Sequence, residues 1–368
     1  DMIIVGDGRT TLARGAPQGR FVLSPAGLLS TNAPRAISLG DINRDGHLDA
    51  LLSAGVDQTR LFFNNGDGTF ASEQLNIFGL QALPNFAQSR AVDVNGDAVV
   101  DVIGWGPTGA VLYLGDRDSG FARQGGADLV AGETAAAVVF DADRNGSLDL
   151  LLGRADGTEV FLVDDQGEVS QGDRPVPWQE GDRGALPMDL DLDTRDDLLI
   201  YGQNVRLVRG TPAGFAATDA AALGLPALGD VTHAQVIDVD RDGDMDIITA
   251  GADGLRIIRN NAVGRVVAAV VTVDIRREKQ PDPVEGQTQR DAVGTVVLLD
   301  YDGGAELAAQ RALIPHPATP TPISVGAADR INLGVRFTDK GGRGSNVRSF
   351  TDLDGLLPGE SQLIFGRE

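Results

Sequence analysis

One nine-residue pattern, read five times at a near-constant interval, constrains this chain more than any other feature. It begins as Asp41-Ile42-Asn43-Arg44-Asp45-Gly46-His47-Leu48-Asp49 and places short oxygen-bearing side chains at positions one, three, five and nine. The same places are filled by Asp93, Asn95, Asp97 and Asp101; by Asp141, Asp143, Asn145 and Asp149; by Asp189, Asp191, Asp193 and Asp197; and by Asp238, Asp240, Asp242 and Asp246. First positions lie 52, 48, 48 and 49 residues apart. A period that regular means stacked copies of one supersecondary unit.

The units share an internal order. An apolar run leads into the acidic loop, as in Ala36-Ile37-Ser38-Leu39, and a second run leaves it, as in Leu150-Leu151-Leu152. A Gly-containing turn and a third run follow, such as Val160-Phe161-Leu162-Val163. A more polar fourth segment closes the unit, often opened by an aromatic such as Phe70 or Phe121. Runs of this length bounded by Gly, Asp and Asn read as strands. Four strands in about 48 residues make the blade of a β-propeller.

The expected fold is therefore all-β. Six blades are visible over residues 1–262, followed by a β-rich domain over residues 263–368. Asp1 to Gly8 matches the register of Asp149 to Gly157, which makes Asp1 the ninth position of a sixth loop and implies a chain starting inside a repeat. Residues 265–275 are expected to supply the last strand of the sixth blade. In the tail, strands are expected at 294–299, 306–313, 330–337 and 362–365, with loops at 315–322 and 340–349.

Hard divalent cations take six to eight oxygen ligands, and carboxylates on a tightly turning backbone supply them. An EF-hand needs a bidentate Glu at position twelve and flanking helices. Here position twelve is Leu52, Gly104, Leu152, Ile200 or Thr249, between strand-like runs, so that reading fails. In the nine-residue version Asp at position nine takes the place of that Glu. A backbone carbonyl at position seven (His47, Val99, Ser147, Arg195, Asp244) adds a ligand. Flanking apolar residues such as Ile42, Leu48, Val239 and Met245 are expected to point inward. The loops gather 17 carboxylates, a clustering that repels itself unless a cation neutralises it. About five Ca2+ sites are expected; five such ions would bring the formal charge from -22 to -12. The competing reading is a set of Asx-turns bonded to their own backbone without metal. It weighs more at the second and fourth loops, where Ala98 and Thr194 replace Gly.

The charge of -22 opposes nucleic acid, which requires a basic face, and anionic membrane surfaces alike. No apolar run is long enough to span a bilayer. The absence of cysteine removes disulfides, Cys-ligated zinc and thiol catalysis. His47, His233 and His316 are scattered, and no nucleophile elbow or phosphate loop appears. Trp105 and Trp178 read as packing residues. Arg44, Arg144 and Arg241, at position four of three loops, read as solvated loop tips on one face.

The loops at this spacing resemble the FG-GAP/VCBS repeats of integrin-α-like propellers, over roughly residues 1–262. The tail resembles the ASPIC/UnbV domain of the cartilage-acidic-protein-like family. There the matching pieces are Asn260-Asn261 leading into Val266 to Val271, Arg290-Asp291-Ala292-Val293-Gly294-Thr295-Val296, Ser324-Val325-Gly326-Ala327, and Val335 to Gly341. The resemblance implies a secreted, cell-surface or periplasmic propeller, commonly seven-bladed, with structural Ca2+ and a role in adhesion or recognition. Its partner would be a protein or carbohydrate on a propeller face, and no general catalytic activity travels with it. The alternative is a secreted propeller enzyme acting on polysaccharides or natural products, with Ca2+ structural.

Overall fold

The computed structural model describes residues 2–260 except 7–8, 17–19, 25–35, 44, 46, 54–58, 68, 74–85, 98, 117–119, 124–128, 144, 146, 174–175, 191–194, 219–220, 222–223, 238 and 240–244; beyond 260 it describes seven strands between 269 and 367. The central strands show why this sequence stacks sheets. In Asp149–Arg154 the consecutive Leu150, Leu151 and Leu152 are all fully buried. Successive side chains on a strand point to opposite faces. Leu150 and Leu152 therefore pack on one side with Val92, Ile103 and Leu112, while Leu151 packs on the other with Leu198, Ile200 and Val208. An unbroken apolar run is what a strand buried on both faces requires. At roughly 1.5–3 kcal/mol per fully buried leucine, each such strand anchors two interfaces.

Six antiparallel meander sheets repeat this plan among the described residues, and the architecture is an all-β, six-bladed propeller. The first blade has three strands, Met2–Gly6, Arg9–Ala16 and Arg20–Ser24. The second is Ala36–Gly40, Asp49–Ser53, Arg60–Asn64 and Phe70–Glu73. The third runs Gln88–Val92, Asp101–Gly106, Gly109–Asp116 and Gly120–Arg123, with the short Val130–Ala131 also paired to its third strand. The fourth is Ala136–Phe140, Asp149–Arg154, Gly157–Val163 and Val169–Gly172. The fifth is Asp182–Met188, Asp197–Gly202, Arg206–Thr211 and Gly214–Thr218. The sixth contains Val231–Ile237, Asp246–Gly251 and Gly254–Ile258. In blades two to six every acidic loop joins the first strand to the second.

Aromatics from the links between blades seal these interfaces against glycines. A Cβ added at Gly153 would fall 2.4 Å from the Trp178 ring, and one at Gly104 would fall 2.3 Å from Phe86. Trp105 and Trp178 are 7% and 9% exposed, so both are packing residues as expected.

The tail departs from expectation in three places. Ala269–Arg277 does not complete the sixth blade; it is the middle strand of a separate sheet, between Thr321–Ser324 and Gly359–Arg367, and residues 265–268 lie outside the described residues. Its parallel ladder with Gly359–Arg367 runs through nine consecutive pairs, a longer pairing than the five-residue Gly254–Ile258 could offer. Thr321–Ser324 and Val347–Phe350 are strands that begin inside the stretches expected to be loops, 315–322 and 340–349. Pro322 is compatible with this because its strand lies at the sheet edge, the place in a sheet where proline is accommodated. The remaining strands, Val296–Tyr301, Ala309–Ala312 and Ile331–Arg336, fall where strands were expected and share the second tail sheet with Val347–Phe350.

Candidate metal centres

The position-nine aspartates do something the sequence did not reveal: each ties three segments of its blade together. Asp49 Oδ2 accepts the N–H groups of Ile42 and Asn43 at 2.9 and 3.1 Å, and its Oδ1 accepts that of Asn64 at 2.9 Å. Asp101 takes Val94 and Gly115, both at 2.7 Å. Asp149 takes Ala142 at 2.7 Å, Asp143 at 3.2 Å and Val163 at 2.9 Å. Asp197 takes Leu190 at 3.1 Å and Gly210 at 2.9 Å, and Asp246 takes Val239 and Asn260, both at 2.8 Å. One oxygen thus holds the start of the loop and the other holds the end of the third strand. All five carboxylates are 0–1% exposed. A sequence signal existed, because the third-strand partner lies 13 to 15 residues beyond position nine in every repeat.

The other positions form nested Asx-turns. Asp45 Oδ1 accepts from His47 N, Asp97 Oδ1 from Val99 N, and Asn145 Oδ1 from Ser147 N. Asn43 Oδ1 accepts from Asp45 N, Asp93 Oδ1 from Gly96 N and Asp97 N, and Asp143 Oδ1 from Asn145 N. In the second loop Gly has moved to position four, where Gly96 adopts φ +74; glycine is the residue that takes this left-handed region without strain. His47 closes over Gly66 (φ +81), its imidazole 2.6 Å from where a Cβ would sit, so it is a packing residue. Asx-turns do not compete with a cation, since a carboxylate oxygen carries more than one lone pair.

Burial gives these carboxylates unusual proton affinities. Burial, with help from Asp45 and Asp41, pushes Asp49 up to about 7, although backbone donors pull the other way. Burial and nearby Asp143 push Asp149 up to about 6. Burial, then Asp93 and Asp97, raises Asp101 well above the carboxylate range. At these three aspartates negative charge is costly until something positive arrives.

Asp141, Asp143 and Asp149 each offer an oxygen within 4.8 Å of the others. Two ligands on opposite sides of a calcium ion at 2.3–2.6 Å stand about that far apart, so this donor set fits the ion. The structure also places Asp41, Asn43, Asp45, Asp93, Asn95 and Asp97 in their loops beside Asp49 and Asp101. In the fourth loop it places Asp189, 5% exposed, and Asp197. In the fifth it places Asp246. Asp191, Asp193, Asp238, Asp240 and Asp242 lie outside the described residues, as do Arg44, Arg144 and Arg241.

One expectation fails. Val239 is 39% exposed instead of pointing inward. Its counterparts Ile42, Val94, Ala142 and Leu190 each pack against the blade that follows theirs. Val239 belongs to the sixth blade, and no later blade covers it among the described residues.

Residues 1–52 match the family model described as an FG-GAP-like repeat, so a repeat of this type sits in the propeller. Among solved structures, a lectin of Agrocybe aegerita described for specific recognition of non-reducing terminal N-acetylglucosamine is 15% identical, with 95% of this chain and 90% of that chain covered and a TM-score of 0.50. A protein from Lactobacillus plantarum is 14% identical over 96% and 97% of the two chains, with a TM-score of 0.43. The Aleuria aurantia lectin, in complex with alpha-methyl-L-fucoside, is 13% identical over 58% and 72%, with a TM-score of 0.37. No curated protein matches the chain.

Proposed function

We propose that this chain is a calcium-stabilised recognition module that works outside the cytoplasm and binds a saccharide on its propeller. The observation that carries the calcium half is the approach of Asp141, Asp143 and Asp149 to within 4.8 Å of one another. Asp189 and Asp197, Asp246, and the oxygen donors of loops 41–49 and 93–101 would hold further ions. When bound, the ion supplies positive charge that stabilises the ionised carboxylates. The protein's own part is geometric: position-nine carboxylates lock each loop to its third strand, and strands buried on both faces lock blade to blade.

The saccharide half draws support from the likeness in fold, along nearly the whole chain, to an N-acetylglucosamine-recognising lectin. Work outside the cytoplasm is the reading that the resemblance given above supports, and calcium sites of extracellular modules bind in the 10⁻⁴–10⁻³ M range. No helix among the described residues is long and apolar enough to cross a membrane. The tail from residue 263 is read as an ASPIC/UnbV-like domain on the motifs given above. Calorimetric Ca2+ titration and a glycan array, run with and without chelator, test both halves. Submicromolar affinity would contradict the extracellular reading, and an array silent in saturating Ca2+ would overturn the saccharide reading.

A further inference from the structure

We infer that two copies of this chain pair edge to edge through the outer strand of the first blade, Arg20–Ser24, about a two-fold axis at Val22. The inference is independent of the calcium and saccharide readings above.

Arg20–Ser24 closes the first sheet and bonds to Arg9–Ala16, and among the described residues its other edge meets no strand. A row of backbone N–H and C=O groups is left along that edge, and an added strand is the partner that matches it. Folded proteins usually guard such an edge with charged or polar side chains. The outer strands of the second to fifth blades follow that rule. Phe70–Glu73, Gly120–Arg123, Val169–Gly172 and Gly214–Thr218 each hold one large apolar residue, and Phe70, Phe121, Val169 and Phe215 are buried or half-buried. Arg20–Ser24 instead carries Phe21, Val22 and Leu23 in succession, 53%, 59% and 67% exposed. Successive side chains point to opposite faces, so this edge is apolar and exposed on both.

The patch also runs inward from the edge. Ile3 and Leu12 pack toward the second blade. Ile4 thus lies on the other face, together with Leu23, which pairs with Ala13, and with Phe21. Ile4 is 46% exposed, so no blade covers that face.

The order of residues along the strand points to its own copy as the occupant. Antiparallel pairing about Val22 sets Val22 opposite Val22, Phe21 opposite Leu23 and Arg20 opposite Ser24. Every large apolar residue then meets another on its own face, and no like charges oppose each other. An interface of this kind is isologous and closes at two copies, which caps the edge instead of propagating it. A five-residue strand buries less than the roughly 1,200–2,000 Å² of a stable complex, so the dimer forms at high concentration and comes apart on dilution.

The test is sedimentation equilibrium on the full chain between about 10 µM and 1 mM. Dimers are expected to grow across that range, with no larger species. Val22→Lys sets two like charges face to face at the axis and should abolish them, as should Val22→Glu. Mixing the two variants should restore dimers by setting Lys against Glu. Monomers at every concentration, dimers that survive Val22→Lys, or a mixture that stays monomeric overturns the inference. Growth past the dimer overturns the two-fold pairing. If the charged variants fail to fold, a cysteine decides, because the chain has none of its own. Residues directly opposed in an antiparallel pair stand close to disulfide reach. On oxidation Val22→Cys should therefore cross-link into dimers about tenfold faster or more than Ala155→Cys, an exposed position on the fourth blade. Equal rates overturn the pairing.

Discussion

Asp149 Oδ1 accepts the backbone N–H of Val163 at 2.9 Å, joining the ninth position of an acidic loop to a strand end fourteen residues away. The same carboxylate's other oxygen holds the loop's own start. A residue chosen by sequence pattern as a metal ligand is therefore also the staple of its blade.

That double use separates two substitutions. Asp149→Ala would leave the N–H groups of Ala142, Asp143 and Val163 without their acceptor. It should destabilise metal-free protein by about 3–5 kcal/mol. Asp149→Asn keeps one acceptor oxygen and should cost roughly half as much. Denaturant unfolding in chelator measures both, and equal losses would show that the bonds to Asp149 do not carry the effect.

Calcium should raise the melting temperature and chelator should lower it. Asp143→Asn, which leaves the position-nine staple in place, should reduce the rise while changing the chelated baseline by about 1 kcal/mol or less. A melting temperature indifferent to both calcium and chelator would sink the metal assignment.

The pH dependence has a definite sign. Asp49 and Asp149 sit near 7 and 6 in the fold, above the ordinary 3.8. The folded chain thus holds protons that the unfolded chain has already released. Their contribution is fully present below about 4 and is lost as pH rises through 6 and 7. Chelated protein should melt at a lower temperature at pH 8 than at pH 5, and the gain from Ca2+ should grow over the same range. Melting curves at three pH values, with and without Ca2+, check both trends.

Packing of Trp178 on Gly153 leaves no room for a methyl group. Gly153→Ala should cost about 1–3 kcal/mol by displacing the indole, visible as a red shift in tryptophan emission. Gly157→Ala makes a useful contrast: nothing stands within 4 Å of its added Cβ, so any loss there reflects its φ of +141 alone.

Much of this was legible in the sequence because repetition turns weak local signals into a register. One acidic loop is ambiguous; five at one interval gave the blades, the strand order and the places of the acidic loops between first and second strands. The alternating duties of Leu150, Leu151 and Leu152 could be expected from an unbroken apolar run between turns. The fate of residues 269–277 could not, since a β-branched run pairs with whichever edge offers the longer ladder, and that edge lay 90 residues away.

By itself, then, the sequence determined the fold class, the repeat and the carboxylates, because periodicity and residue chemistry are local properties. Only the tertiary structure decided that position nine holds the start of its loop with one oxygen and a distant strand with the other. Only it left Val239 uncovered at the outer side of the sixth blade. Those relations depend on which surfaces meet, and contacts between separate blades leave no fixed spacing in the chain.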